Sequence, residues 1–577
     1  VTKGLIASIS YSKQKESDLF AEWYPSNAYF RGFNEKGLAT RRTEDRSTDL
    51  FEMTGNYTVD FGNNNLQLLA GYSFQEFNNQ SFNARAARFI SNDFGFNNLN
   101  FGQQAALGDP NAVGSFQEEY RVIGFFGRAN LNIDETYFLM ASVRREGSTR
   151  FGEGNKWGIF PAVSAGLDIS RLADIQGVDN LKLRLAYGVT GAIPPSSYLS
   201  LPGYGRQGNF YYNGAFVPAI GPTRNANPDL KWETKGEFNA GLDFAFLDYK
   251  ITGSFEYYNR VTKDLLYFSP VPVPPNFSNR TWANLEDVAL KSSGIELAIG
   301  YNHTKNNFSW EPRVTFATFK TILDTLDVEN PTFQFFQGEN PVTFDDATSP
   351  GAPGQNGDPT IGVYGGSEIG QIVGPVYVGP SDTGDWEFED VDGDGVLEIG
   401  RGEDDRVVIG NGLPDFSLGF ANTFRFGKLD FSFFLRGDFG HDLVNMYRNF
   451  YESLGNSSSR PIENQVKTDE FDETLFGQPK FSSYAVEKAS FICLDNATLG
   501  YNVTLPQKRN LRLFLTGRNL FYITNYTGVD PNVRFVDTGD ADNGGRSDRN
   551  DPLAPGLVRR NTYFRSYSVS FGVNLGF

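Results

Sequence analysis

The stretch FEDVDGDGVLEIG, residues 388–400, concentrates residue types that can do chemistry. Asp390, Asp392 and Asp394 stand at alternate positions, so a tight loop can turn all three carboxylates toward one point. They match positions 1, 3 and 5 of a calcium-binding loop. Gly395 supplies the sharp turn at position 6, and Val396 falls where a backbone carbonyl ligates at position 7. Without a hard cation such carboxylates repel one another. The pattern departs at position 12, which is Arg401 rather than an acid. A bulged loop would bring in Asp405 or Glu403 instead, with Glu398 acting through water. The other reading is a solvated acidic turn, rich in Asp and Gly for backbone reasons alone. A bound Ca2+ would have a structural role, ordering a long loop; no cofactor is required.

A second set lies in GYGRQGNFYYNGAF, residues 203–216. Tyr204, Phe210, Tyr211 and Tyr212, with Arg206 beside them, offer aromatic faces and polar groups to a sugar ring, a peptide or a partner lid. Loop packing explains the same residues. Arg144, Arg145 and Arg150 are expected to line an interior or its rim. Enzyme signatures are absent: there is no GxSxG elbow, P-loop or HExxH. The two histidines, His303 and His441, read as surface residues. The single cysteine, Cys493, reads as a packing residue.

The elements that must position these groups are strands. The chain ends YFRSYSVSFGVNLGF, in which Phe577, Leu575, Val573 and Phe571 share one face and small polar residues the other. The same period of two recurs in Leu181–Val189, Phe238–Phe246, Ile295–Tyr301 and Leu429–Leu435. Short polar links (61–65, 132–136, 247–250, 303–307, 427–428, 506–510) alternate with long irregular stretches (13–45, 78–118, 191–231, 261–290, 321–415, 440–488, 523–562). Compact soluble domains seldom carry so many long loops. A transmembrane antiparallel β-barrel does, with short periplasmic turns and long extracellular loops. The fold class read here is therefore all-β, a barrel of about sixteen strands within these 577 residues. The region 321–415 reads as a long extracellular loop. Of the 577 residues, 53 are Phe, 27 Tyr and 62 Gly, and the net charge is −18. That acidity argues against nucleic acid, whose phosphates call for Lys and Arg.

Several stretches resemble the SusC/RagA-type TonB-dependent outer-membrane transporters. They include GFFGRANLNIDETYFLMASVRREGSTRFGEGNKWGIFPAVSAGLDIS at 124–170, LKLRLAYGVTGAIPPSSY at 181–198 and NPDLKWETKGEFNAGLDF at 227–244. Further on come YYNRVTKDLL at 257–266, FEDVDGDGVLEIGRGEDDRVVIGNGLPDFSLGF at 388–420 and LRLFLTGRNLFYITNYTGVDPNV at 511–533. The resemblance runs from about residue 120 to the end, in the family's order; residues 1–120 fit less distinctively. It implies a 22-stranded barrel in the outer membrane of a Gram-negative bacterium, of which this chain is the C-terminal part, with a plug and the first strands outside it. It implies active import of a large nutrient, glycan or oligopeptide, under a SusD-like lipoprotein lid. TonB, ExbB and ExbD would act through the plug. Other implied partners are outer-membrane lipid, lipopolysaccharide and, through the Phe577 strand, the barrel-assembly machinery. A passive porin, or a barrel subunit of a larger outer-membrane machine, are the other functions the pattern allows.

Overall fold

In the computed structural model the described residues are 4–28, 31–103, 112–325, 342–343, 360–363, 366–399, 405–452, 474–475, 477, 480–506, 509–532, 536–537, 549–550, 555–558 and 565–576. Sixteen long strands dominate them: β1 Leu5–Tyr24, β2 Leu38–Phe61, β3 Asn64–Ala87, β4 Val113–Ile133, β5 Tyr137–Ser148, β6 Trp157–Asp168, β7 Val178–Ala192, β8 Glu233–Phe246, β9 Ile251–Pro270, β10 Arg280–Tyr301, β11 Phe308–Thr325, β12 Phe416–Phe426, β13 Leu429–Phe439, β14 Phe491–Thr504, β15 Asn510–Thr524 and β16 Ser568–Gly576. Each pairs with its neighbours in chain order, antiparallel from β1 through β5 and from β10 through β16. His303–Lys305 extends β10 against β11.

The chain divides into two compact units. One comprises Val1–Ala165, Tyr187–Lys235 and Asp264–Leu285, the other Gly166–Ala186, Gly236–Lys263 and Glu286–Phe577.

In the first unit the strand registers line up residues across β1 to β4. Ile9, Met53, Tyr72 and Phe125 form one row, and Tyr11, Phe51, Phe74 and Ile123 the next. The row after that is Lys13, Asp49, Glu76 and Arg121, with Lys13 bonded to Asp49 at 3.0 Å and Arg121 to Glu76 at 2.7 Å. One face thus changes from apolar to charged at the same level on four strands. Beyond it the strands continue, mainly polar on both faces, with Leu19, Phe20, Phe82 and Phe116 exposed among the polar residues. Residues 13–24, 38–45, 78–87 and 113–118 are therefore strand, where the sequence suggested irregular loops. Alternation fades there because water wets both faces, which removes the demand for a sorted pattern. The connection expected over 261–290 shrinks for the same reason to 271–279.

Apolar rows of the sheet are exposed rather than packed into a dry layer: Ile9 is 72% accessible, Phe571 69% and Val163 54%. Among the described residues, one buried cluster sits at the ends of β2 and β3, at Ala39, Ala86 and Phe89, and the others lie in the long connections. In the second unit Ile361, Ile372, Val444, Met446, Phe481 and Ala485 form one such core. It is built by three separate connections. Ile361–Val363, Gln371–Gly374 and Val407–Asn411 make a small sheet in the first, and Asp442–Asn445 in the second pairs antiparallel with Val486–Lys488. Asp442–Asn445 also pairs in parallel with Leu557–Val558 of the third.

Candidate functional site

The sequence around 390 folds as a succession of turns closed by its own carboxylates. Asp390 accepts from the backbone N–H groups of Gly393 and Gly395, both at 2.8 Å. Asp392 accepts from the Asp394 N–H at 3.1 Å, and Asp394 from the Val396 N–H at 2.7 Å. Gly393 (φ 78°) and Gly395 (φ 83°) occupy the left-handed region these turns require. One oxygen from each of Asp390, Asp392 and Asp394 lies within 4.8 Å of the others. The hydrogen bonds from Gly395 and Gly393 hold the Asp390 carboxyl below its usual range. At Asp392 the bond from the Asp394 N–H acts downward too, but partial desolvation and the neighbouring Asp394 and Asp390 carboxylates together push it up. Three oxygens this close, one of them raised by its neighbours, fit a hard cation in donor type and spacing.

Asp405 is used differently. It is buried, and its two oxygens accept from the Val391 N–H at 2.6 Å and the Glu398 N–H at 2.7 Å. It therefore clamps the two ends of the acidic turn rather than standing with the triad. Next to it, buried Arg406 donates to the Val373 carbonyl at 3.1 Å. Glu403 and Arg401 lie outside the described residues.

The aromatic stretch is an antiparallel hairpin, Gly203–Tyr212 against Ala215–Arg224, and not an irregular loop. Asn213 (φ 48°) and Gly214 (φ 85°) form its turn, the conformation in which Asn-Gly closes two-residue hairpins. That dipeptide was the available signal. Tyr211 lies opposite Phe216, ring to ring at 5.3 Å, and Phe210 contacts Tyr212 at 6.3 Å. Tyr204, Tyr211, Tyr212 and Phe216 are all exposed, and Arg206 bonds Asn209 at 2.6 Å. The rings stand exposed on both faces of this two-stranded ribbon.

The arginines separate by face. Arg144 bonds Ser73 at 3.1 Å and pairs with Glu146. Arg145 sits on the opposite face, its guanidinium 4.7 Å from the centre of the Trp157 ring. Arg150 is buried, donates to the Pro194 carbonyl at 2.7 Å and lies 3.7 Å from the Tyr120 ring centre. His441 is a correction: it is fully buried, with Nε2 2.8 Å from the Pro531 carbonyl, because the connections around it fold over the strand end. Cys493 is buried within β14.

Sequence reasoning missed two polar networks. On the polar face of the second unit, Arg184 bonds Asp243 at 2.7 Å and Glu256 at 2.8 Å, and Arg260 pairs with Glu237 at 2.6 Å. In the connections, Arg448 bonds Glu452 at 2.9 Å, and Glu487 accepts from Thr527 and Asn445. On β16, Phe571, Val573 and Leu575 lie opposite Leu515, Leu513 and Leu511 in one exposed apolar band. Phe577 lies outside the described residues.

The profile of the family described as "TonB dependent receptor-like, beta-barrel" matches residues 4–520. TonB-dependent receptor P3 of Formosa agariphila is 28% identical over 602 residues, which cover 100% of this chain and 56% of the relative. TonB-dependent receptor SusC of Bacteroides thetaiotaomicron is 27% identical over 435 residues, covering 72% of this chain and 41% of the relative. Among solved structures, the RagAB peptide transporter aligns with a TM-score of 0.74 at 21% identity, over 100% of this chain and 60% of that one. The chain spans about half the length of the curated relatives it matches. Exposed apolar rows, an opposite face laced with ion pairs, and a family profile over most of the chain have one reading. The chain belongs to the TonB-dependent receptor β-barrel family of the outer membrane, is a homologue of SusC and shares its fold with the RagAB transporter.

Proposed function

We propose that this chain forms the wall and the outer connections of a TonB-dependent importer of a large nutrient, an oligopeptide or a glycan. The observation that carries the reading is the family match over residues 4–520, together with a polar face on which charges are paired in place. Such a wall surrounds wet space at modest electrostatic cost, while its other face meets acyl chains. The energy for import would come through TonB, ExbB and ExbD acting on a plug. Binding shifts a plug or lid only by its differential affinity for the two states.

The aromatic hairpin is the part of this chain we assign to a SusD-like lipoprotein lid. Its exposed rings on both faces support that reading, because a two-stranded ribbon alone in water is marginal. We assign structural Ca2+ to Asp390, Asp392 and Asp394, with the Val396 carbonyl as a further ligand. The cation would supply the positive charge that the turn lacks, and Asp405 would hold the turn's ends whether or not the cation is bound.

The test is uptake by cells expressing the full-length protein, with and without TonB and the lipoprotein. Import of labelled oligopeptides or glycans should vanish when either is deleted. Uptake that persists without TonB would make the protein a passive porin. Loss of assembly of other outer-membrane proteins, with nutrient uptake intact, would make it a subunit of a larger machine.

A further inference from the structure

The apolar face of β2 to β6 carries a groove of about 560 Å3. Its floor is small: Gly55, Ala70, Gly127, Ala129 and Ala141 lie side by side in two register rows. Leu68, Val143 and Val163 stand along it. A lipid-facing strand fills such positions with Leu, Val or Phe at no cost, so a floor of glycine and alanine leaves an apolar recess against the backbone. One register step toward the extended ends of these strands is the row Met53, Tyr72, Phe125 and Arg145. The rings continue sideways, with Phe125 stacked 6.2 Å from Trp157.

Arg145 is the unusual member of that row. It is exposed on the apolar face, its guanidinium rests on the Trp157 ring, and no carboxylate among the described residues pairs with it. Farther along, Lys13 and Arg121 are neutralised by Asp49 and Glu76. The change from apolar to charged rows marks where hydrocarbon gives way to headgroups. The long connections at this end of the strands place it on the outer leaflet. Arg145 stands two register rows short of that boundary, but its long side chain can extend its head toward the headgroups while its stem stays on apolar surface. An unneutralised guanidinium beside an indole suits a phosphate held by two parallel N–H bonds.

We propose that this surface is a site for one molecule of the phosphorylated glycolipid of the outer leaflet, the lipid A part of lipopolysaccharide. A phosphate sits on Arg145 and one acyl chain lies in the groove. The site rests on the outer-membrane location and not on which solute is imported.

The test uses the full-length protein purified in detergent and native mass spectrometry of retained lipid. The probes are diphosphorylated lipid A, its dephosphorylated form and phosphatidylglycerol. The variants are Arg145→Gln, which removes the charge, and Gly127→Leu or Gly55→Leu, which fill the groove. A Cβ at Gly127 meets only the Leu69 carbonyl oxygen, at 3.8 Å, and one at Gly55 meets nothing within 4 Å, so both fit the fold. Wild-type protein should retain diphosphorylated lipid A about tenfold better than either other lipid, and each variant should lose about that factor, the worth of one charged hydrogen-bonded contact. Equal retention of the three lipids by wild-type protein overturns the proposal. So does wild-type retention by folded Arg145→Gln or by both groove variants. Should Arg145→Gln fail to fold, the groove variants and the phosphate dependence of the wild type decide.

Discussion

Arg184 on β7 donates to Glu256 on β9 at 2.8 Å, across the strand between them, while its Nε holds Asp243 of that strand at 2.7 Å. One guanidinium thus laces three strands on the polar face. Replacing it with Met leaves two carboxylates facing each other. The groups are about a third exposed, so solvent screens the loss, and we expect about 1 kcal/mol of destabilisation. Thermal unfolding in detergent measures it. Adding Asp243→Asn and Glu256→Gln to Arg184→Met should restore most of the loss, and an unchanged or lower midpoint would refute the pairing argument.

Asp405→Ala removes both acceptors for the Val391 and Glu398 N–H groups. Leaving these two part-buried donors without partners costs at most about 1–3 kcal/mol each. The effect should be local: proteolytic cleavage within 388–400 speeds up severalfold, while the strands unfold at the wild-type temperature.

For the acidic turn, added Ca2+ should protect the 388–400 segment from proteolysis, and chelation should remove the protection. Asp390→Asn with Asp392→Asn should abolish the calcium effect and leave cleavage insensitive to the ion. Protection that persists in the double variant would place the ion elsewhere.

Tyr211→Ala with Phe216→Ala truncates a facing pair of exposed rings. If the hairpin carries the lid, affinity for the lipoprotein should fall at least about tenfold, as for aromatic anchors at interfaces. The unfolding midpoint of the barrel should not move. Binding equal to wild type would remove the hairpin from the lid contact.

Val573→Arg sets a charge in the exposed apolar band of β16. Near mid-bilayer depth this costs about 2–4 kcal/mol. Reduced recovery of folded protein in the outer membrane is expected. Ser570→Arg, on the other face, should be tolerated.

The fold was legible wherever one face meets apolar surroundings and the other water, because that contrast writes a period of two into the residues. Leu429 to Leu435 and Phe571 to Leu575 are examples. It was illegible where both faces are wet, and so Lys13 to Asp18, paired with Glu44 to Asp49, read as loop. The convergence of Asp390, Asp392 and Asp394 could be read from spacing, since a turn is local. The duty of Asp405 could not, since it depends on where Val391 and Glu398 are brought by the intervening chain. Nor could the burial of His441 beside Pro531, a contact made across 90 positions. The Asn213-Gly214 turn is equally local, yet it went unused and 191–231 read as irregular chain.

The core of Ile361, Ile372, Val444, Met446, Phe481 and Ala485, with Leu557 packed against it, draws on three distant stretches of sequence. None of the three can be exchanged with a homologue's without stranding the greasy surfaces of the other two. Transplanting the recognition properties of a relative onto this scaffold would therefore require moving all three as a set, and natural diversification here must proceed by correlated replacement rather than by one insertion at a time.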